Sequence, residues 1–173
     1  MIRSLINIAV LLLSCSVLAR GQDADVLFSR AQSLRMSNLD SSNWYATQAY
    51  RAALESKQDT IALRAQFLLG MNLQMQGSLE EAISVYKQVM ASVTPGTFPE
   101  QYIQSVGRIG DCYTDLGEYD SAMFYLLQFD QLVDTHWNPH KIDAKLLLGE
   151  LYRAMGRMDQ SDKYKIEAID RSK

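Results

Sequence analysis

Cysteine is nearly absent from this chain: two residues in 173, Cys15 and Cys112. Cys15 falls in an apolar leader, so Cys112 stands alone and no internal disulfide can staple the fold. Its expected use is as a small packing group inside a helix. A reactive thiol would need a cation beside it, and Arg108, one turn back, is the only local candidate. An excess of positive charge is lacking too. Seventeen basic residues against 20 acidic ones leave a net charge of −3, and the leader removes Arg3 and Arg20 from the basic side. A nucleic-acid role needs a basic face, so that class is excluded. Long apolar runs are missing: the stretch from Ser4 to Leu18 falls short of the roughly 20 residues that span a bilayer. No glycine-rich phosphate loop, nucleophile elbow or zinc-protease helix occurs. His136 and His140 are four apart, but Asn138-Pro139 between them disfavours the helix that would bring them onto one face. They are expected to be polar link residues. Glu80-Glu81 sits at a helix start, where the helix dipole explains it. No catalytic residue, metal site or cofactor is expected, and the chain is not expected to be an enzyme.

What is present is repetition. Leu69-Gly70 … Leu73 … Gly77-Ser78-Leu79-Glu80-Glu81-Ala82 returns as Ile109-Gly110 … Tyr113 … Gly117-Glu118-Tyr119-Asp120-Ser121-Ala122. It returns again as Leu148-Gly149 … Tyr152 … Gly156-Arg157-Met158-Asp159-Gln160-Ser161, with Gly70, Gly110 and Gly149 spaced by 40 and 39 residues. Such a period sets the architecture before any local propensity does. Each copy reads as a helical hairpin. The large-small pair and the large residue three beyond it share a face. The glycine seven after the first closes the helix, because it reaches the left-handed conformation without a Cβ clash. Ser78 with Glu81 three residues on has the spacing of a capping box. Ala82 and Tyr86, four apart, should face the first helix. The links Ser92–Pro99 and Asp134–Pro139 are too short to separate domains. A chain of 173 residues suffices for one sizeable core.

On these residues the chain resembles the tetratricopeptide repeats, whose signature runs leucine-glycine, tyrosine, glycine, alanine, aromatic. The third unit carries it through Ile109, Gly110, Tyr113, Gly117, Tyr119 and Ala122. The second carries it through Leu69, Gly70, Gly77, Ala82 and Tyr86, and the fourth through Leu148, Gly149, Tyr152, Gly156 and Ala168. The family's early tryptophan is missing: Gln66, Val106 and Lys145 take its slot. A weaker first unit keeps Ala46, Tyr50 and Ala53 on its second helix, with Ala31 and Leu34 inward on the first. The resemblance implies an all-α, right-handed α-solenoid of about four antiparallel hairpins, over residues 23–57, 60–93, 98–134 and 139–172 of a single domain, 22–173. The polar last helix, Asp159 to Lys173, would be an end cap. The long repeat also looks like those found ahead of bacterial signalling domains.

The amino terminus has the order of a secretion signal: basic Met1-Ile2-Arg3, an apolar middle, then Ala19-Arg20-Gly21 at a cut site. Residues 1–21 are therefore expected to be a signal peptide, and the mature protein is placed in the periplasm or cell envelope of a bacterium. Leu12-Leu13-Ser14-Cys15 is similar to a lipoprotein cleavage box, which makes Cys15 a candidate for lipidation. Membrane attachment is expected only through lipid on Cys15 or an uncleaved signal.

In the family, ligand contacts come mostly from inward positions of the first helices. Carried over by register, these are Arg64, Phe67, Met71, Gln74 and Met75 in unit two. In unit three they are Gln104, Arg108, Asp111 and Asp115, and in unit four Asp143, Leu146, Glu150 and Arg153. Met71, Asp111 and Glu150 stand where chaperone-binding members carry asparagine, so a carboxylate clamp is not expected. A groove apolar at Phe67, Met71 and Met75 and of mixed charge elsewhere suits an extended or helical peptide. The expected function is an exported scaffold that binds protein or peptide along its concave face. The alternatives are the input region of a bacterial signalling system, of the kind associated with histidine kinases, and an envelope lipoprotein assembly factor.

Overall fold

Glycine sets the corners of this fold. Gly77, Gly117 and Gly156 have φ of 81°, 75° and 73°, the left-handed region in which a Cβ would clash. At each, two backbone bonds reach back into the helix just ended. Gly117 N–H donates to Thr114 O at 3.1 Å and Glu118 N–H to Tyr113 O at 3.0 Å. The same pair recurs as Gly77 to Gln74 with Ser78 to Leu73, and as Gly156 to Arg153 with Arg157 to Tyr152. These are Schellman closures, which satisfy the orphan carbonyls of a helix end. The next helix begins one residue later.

The computed structural model describes residues 24–93, 99–135 and 140–170. The expected signal peptide 1–21, with Cys15, lies outside the described residues, as do the links over 94–98 and 136–139 with His136. Every regular element among the described residues is a helix: α1 (24–34), α2 (Leu39–Glu55), α3 (Asp59–Gln76), α4 (Leu79–Ser92), α5 (Pro99–Asp115), α6 (Tyr119–Thr135), α7 (Lys141–Ala154) and α8 (Met158–Asp170). The architecture is an all-α helical-repeat solenoid of hairpins α1/α2, α3/α4, α5/α6 and α7/α8. None of these helices is long and apolar enough to cross a membrane.

The chain divides into two compact units, Met1–Asn72 and Leu73–Lys173. In the first, Phe28 and Ala31 of α1 pack with Ala46 and Ala49 of α2 and Ala65 and Leu68 of α3. Ala24, Ala53 and Ala62 close one end of this core. A buried polar chain crosses it: Asn72 donates to Ser42 Oγ at 2.9 Å, and Ser42 Oγ donates to Ala31 O at 2.8 Å. The burial pattern also corrects the expected register of the first hairpin. Ser42, Ala46, Ala49 and Ala53 are fully buried and precede Ala82, Tyr86, Val89 and Val93 by 40 residues each. Ala46 therefore holds the place of Tyr86, not of Ala82, and a serine fills the small slot.

In the second unit α5 packs on α4 and α6, α7 packs on α6 and α8, and the first helices α5 and α7 meet. One cluster joins Ile103, Val106, Phe129, Val133 and Ala144; another joins Ala122, Leu126, Leu148 and Leu151. The large-small pairs do what their spacing implied. A Cβ at Gly110 would lie 2.6 Å from Leu126 Cδ2, and one at Gly107 would lie 2.9 Å from the Phe129 ring. Two stacked tyrosine pairs repeat at the period: Tyr113 on Tyr125 at 5.7 Å and Tyr152 on Tyr164 at 5.3 Å. The capping box does not form. Ser78 makes no side-chain cap bond and has ψ of 68°, away from the extended geometry that aims an N-cap hydroxyl at the next turn. Asn38 performs that task for α2, accepting from Ser41 N–H at 2.9 Å.

Candidate functional site

In the first unit, Arg64 lies with its guanidinium 4.6 Å from the centre of the Phe28 ring. Arg35 Nη1 donates to Met71 Sδ at 3.2 Å. Phe67, expected in an apolar groove, is only 8% exposed, so its ring serves the core and leaves little for a ligand. Arg64 is the exposed member of this group.

The second unit holds the remaining ten positions. At its centre is Asp111, on the α5 side facing the end of α3. Tyr86, fully buried on α4, donates its hydroxyl to Gln74 Oε1 at 3.2 Å. Gln74 Nε2 in turn donates to Asp111 Oδ2 at 2.7 Å. A core tyrosine thus fixes an amide that fixes a carboxylate. The Arg108 guanidinium stands 4.0 Å from the same oxygen. Burial pushes the Asp111 carboxyl above its ordinary range, against the Gln74 hydrogen bond, and Asp115 and Glu150 add to the rise by repulsion. Arg108 opposes it. Asp111 is therefore a half-buried carboxylate whose charge is under-compensated by its own chain.

One repeat on, Glu150 is in the opposite condition. Its Oε2 takes Arg153 at 2.6 Å and its Oε1 takes Lys165 of α8 at 3.1 Å. The Arg153 bond, ahead of Lys165, holds its carboxyl below the usual value. Near the amino ends of α5 and α7 a second polar group forms. His140 Nδ1 lies 2.8 Å from Asp143 Oδ2, and its Nε2 lies 2.9 Å from Gln104 Nε2. With a carboxylate at Nδ1 that nitrogen carries the proton, and Nε2 accepts from the Gln104 amide. Gln104 also donates to Glu100 Oε1 at 3.2 Å. Met75, Asp115 and Leu146 are exposed.

The structure therefore brings Gln74, Arg108 and Asp111 together, and separately Gln104 with Asp143 and Glu150 with Arg153. Residue-by-residue reading missed the groups that hold them: Tyr86, Glu100, His140 and Lys165. His140 had been expected only as a polar link. Its three-residue spacing from Asp143, at a helix start, was the available signal.

A family profile described as tetratricopeptide repeat matches residues 103–132 and 142–173, and a second profile of the same description matches 64–92. These stretches follow hairpins α5/α6, α7/α8 and α3/α4. No curated protein matches the chain. Among solved structures, the apo form of RapI superposes with a TM-score of 0.76 at 18% identity, over 87% of this chain and 57% of that one. A Rap protein complexed with competence and sporulation factor superposes with a TM-score of 0.71 at 21% identity, over 87% of this chain and 42% of that one. The chain thus spans about half the length of these two proteins, and the likeness is one of fold.

Proposed function

The chain belongs to the tetratricopeptide-repeat family, and from that premise we propose that it is an exported scaffold that holds a protein or peptide partner against the first-helix face of α5 and α7. One observation carries the reading. Tyr86 and Gln74 hold Asp111 on that face although burial and two neighbouring acids disfavour its charge. A fold seeking stability alone would place a neutral or apolar residue there. A partner donor or cation that reaches Asp111 would relieve the unfavourable field. That a Rap protein of like fold is seen with competence and sporulation factor supports a ligand-holding use of this architecture. The export part of the proposal rests on the basic, apolar and small residues of 1–21 in order.

The test is capture from an envelope extract on the immobilised chain, followed by calorimetric titration of the purified partner. Arg108 and Asp115 are exposed, so Arg108→Glu with Asp115→Lys should leave the circular dichroism unchanged and abolish capture. The same partner retained at the same affinity by that variant would remove the face from consideration.

A further inference from the structure

We propose that the first-helix face of α1 and α3 receives carboxylates from an acidic segment of a partner protein, with Arg35 and Arg64 as its two anchors. Both arginines are held in place without being neutralised. Arg35 of α1 reaches across to α3, where its Nη1 donates to Met71 Sδ at 3.2 Å. Arg64 of α3 reaches the other way, its guanidinium 4.6 Å from the centre of the Phe28 ring of α1. The two side chains thus cross the α1–α3 seam in opposite directions. A thioether is a weak acceptor, and neither it nor a ring supplies the full negative charge that a guanidinium can pair with. Among the described residues every ion pair lies in the second unit. There the inner-face arginines do have acids: Arg108 has Asp111 and Arg153 has Glu150. Arg35 and Arg64 have none, although Arg35 is half-buried. Their contacts have already restricted the rotamers that a free arginine would lose on binding, which favours capture of a carboxylate.

Register sets the spacing of the anchors. Phe28 and Arg35 are seven residues apart on α1, as are Arg64 and Met71 on α3. Each pair lies on one helix face, two turns apart, so the two contact points are separated by about 10 Å along the axis. Between them lie Ala31 and Phe67, both buried, so this strip carries no competing acid. A partner that engages both arginines needs carboxylates at a matching interval, about three residues apart in an extended chain or about seven on a helix. The clamp of chaperone-binding members is not reproduced: Met71 fills the asparagine position, and its sulfur positions an arginine instead. The anchors share no residue with the group around Asp111 and select the opposite charge.

Titration of the full chain with a synthetic peptide carrying two glutamates three residues apart tests this, followed through the arginine Nε–H signals by NMR. The signals of Arg35 and Arg64 should move together and saturate in millimolar peptide. Those of Arg30 and Arg51, exposed on the same unit, should stay in place. Glutamine at both peptide positions should abolish the shifts. Arg35→Met and Arg64→Met should each weaken binding about tenfold, the loss of a charge-assisted hydrogen bond, while Arg51→Gln leaves it unchanged. If a methionine variant loses helix content, Arg35→Lys with Arg64→Lys replaces it: charge and stem remain, the paired donors do not, and binding should still fall. Inorganic phosphate serves as competitor. No shift at millimolar peptide, equal shifts at all four arginines, or binding undiminished in Arg35→Met with Arg64→Met would each overturn the proposal. So would displacement of the peptide by phosphate at a lower concentration than the peptide itself needs, which would make the site one for phosphate.

Discussion

Lys145 places its ammonium 2.8 Å from Asp130 Oδ2 and 3.4 Å from Glu167 Oε2, with its side chain almost wholly buried. One cation thereby ties α7 to both α6 and α8, with the Tyr164 ring 5.3 Å away. Removing it takes the ammonium away from a carboxylate, Asp130, whose side chain is only 17% exposed. Lys145→Met should cost about 3 kcal/mol in urea unfolding. Lys145→Met with Asp130→Leu should recover to within about 1 kcal/mol of the wild type, because an apolar pair of similar volume needs no counter-charge. A double variant as unstable as the single one would show that packing, not charge, holds the three helices.

Gly110 and Gly149 occupy the same place in successive repeats but face different neighbours. A Cβ at Gly110 would meet Leu126 Cγ at 2.7 Å and the Leu126 backbone nitrogen at 3.2 Å. At Gly149 the nearest atoms are Lys165 Cγ and Ser161 O, both at 3.3 Å. Gly110→Ala should therefore destabilise by about 1–3 kcal/mol through overpacking. Gly149→Ala should cost under about 1 kcal/mol, as the lysine stem moves aside and the helix gains propensity. Denaturant midpoints of the two variants rank them; equal losses would mean the crowding at Leu126 is relieved by a shift of α6.

Those glycines were legible in the sequence because their effect is local and periodic. A helix end needs a left-handed residue wherever it falls, and a close helix crossing needs a missing side chain. The register of the first hairpin was obscured because Ala46, Ala49, Ala52 and Ala53 supply several equally good small residues, and only burial by α1 and α3 selects Ser42 and Ala46. Phe67 read as groove lining because first-helix position says which way a side chain points, not what covers it. Lys145 gave no sign of being buried, since its partners Asp130 and Glu167 lie 15 and 22 residues away on other helices. The polar partners of Asp111 belong to the same class: Gln74 was expected on the face, but the buried tyrosine behind it was not.

Lys57 is the one non-glycine residue with positive φ among the described residues, at 57°. It ends α2 as the glycines end the first helices: Lys57 N–H donates to Leu54 O and Gln58 N–H to Ala53 O at 2.8 Å. A lysine Cβ is strained in that conformation by about 1 kcal/mol. Lys57→Gly should raise stability by about 0.5–1 kcal/mol after the added freedom of the unfolded chain is deducted. Thermal unfolding of this exposed position is a direct check, and a loss of stability would mean that the lysine stem makes contacts worth more than the strain.

Cys112 is fully buried, and burial, with Asp111 and Asp115 adding repulsion, pushes its thiol up to about 12. The thiolate is the reactive form, so the folded protein should resist maleimide and disulfide reagents at pH 8. Modification should then track the opening of α5, slowing with added stabilisers and quickening in urea. Rapid labelling under native conditions would place the sulfur at a surface and contradict the packing of α5 against α4 and α6.

Asp111 links stability to the proposed binding face. Its carboxyl in the fold titrates above the ordinary 3.8, chiefly because burial disfavours the charge. The fold therefore holds this proton more tightly than the unfolded chain does. The stability it contributes is complete below the unfolded value and is lost as pH rises through the folded one. Asp111→Asn keeps an oxygen for the Gln74 amide and removes the charge. The variant should be more stable than the wild type at neutral pH, with the difference shrinking towards zero as the solution is acidified to about pH 3. Partner affinity should move the other way, falling in Asp111→Asn at neutral pH, because the carboxylate retained at the expense of stability is the one a partner's donor would meet. A stability difference that does not change with pH would mean that the Gln74 hydrogen bond, rather than the buried charge, governs this position, and the link between the fold's strain and its binding face would be lost.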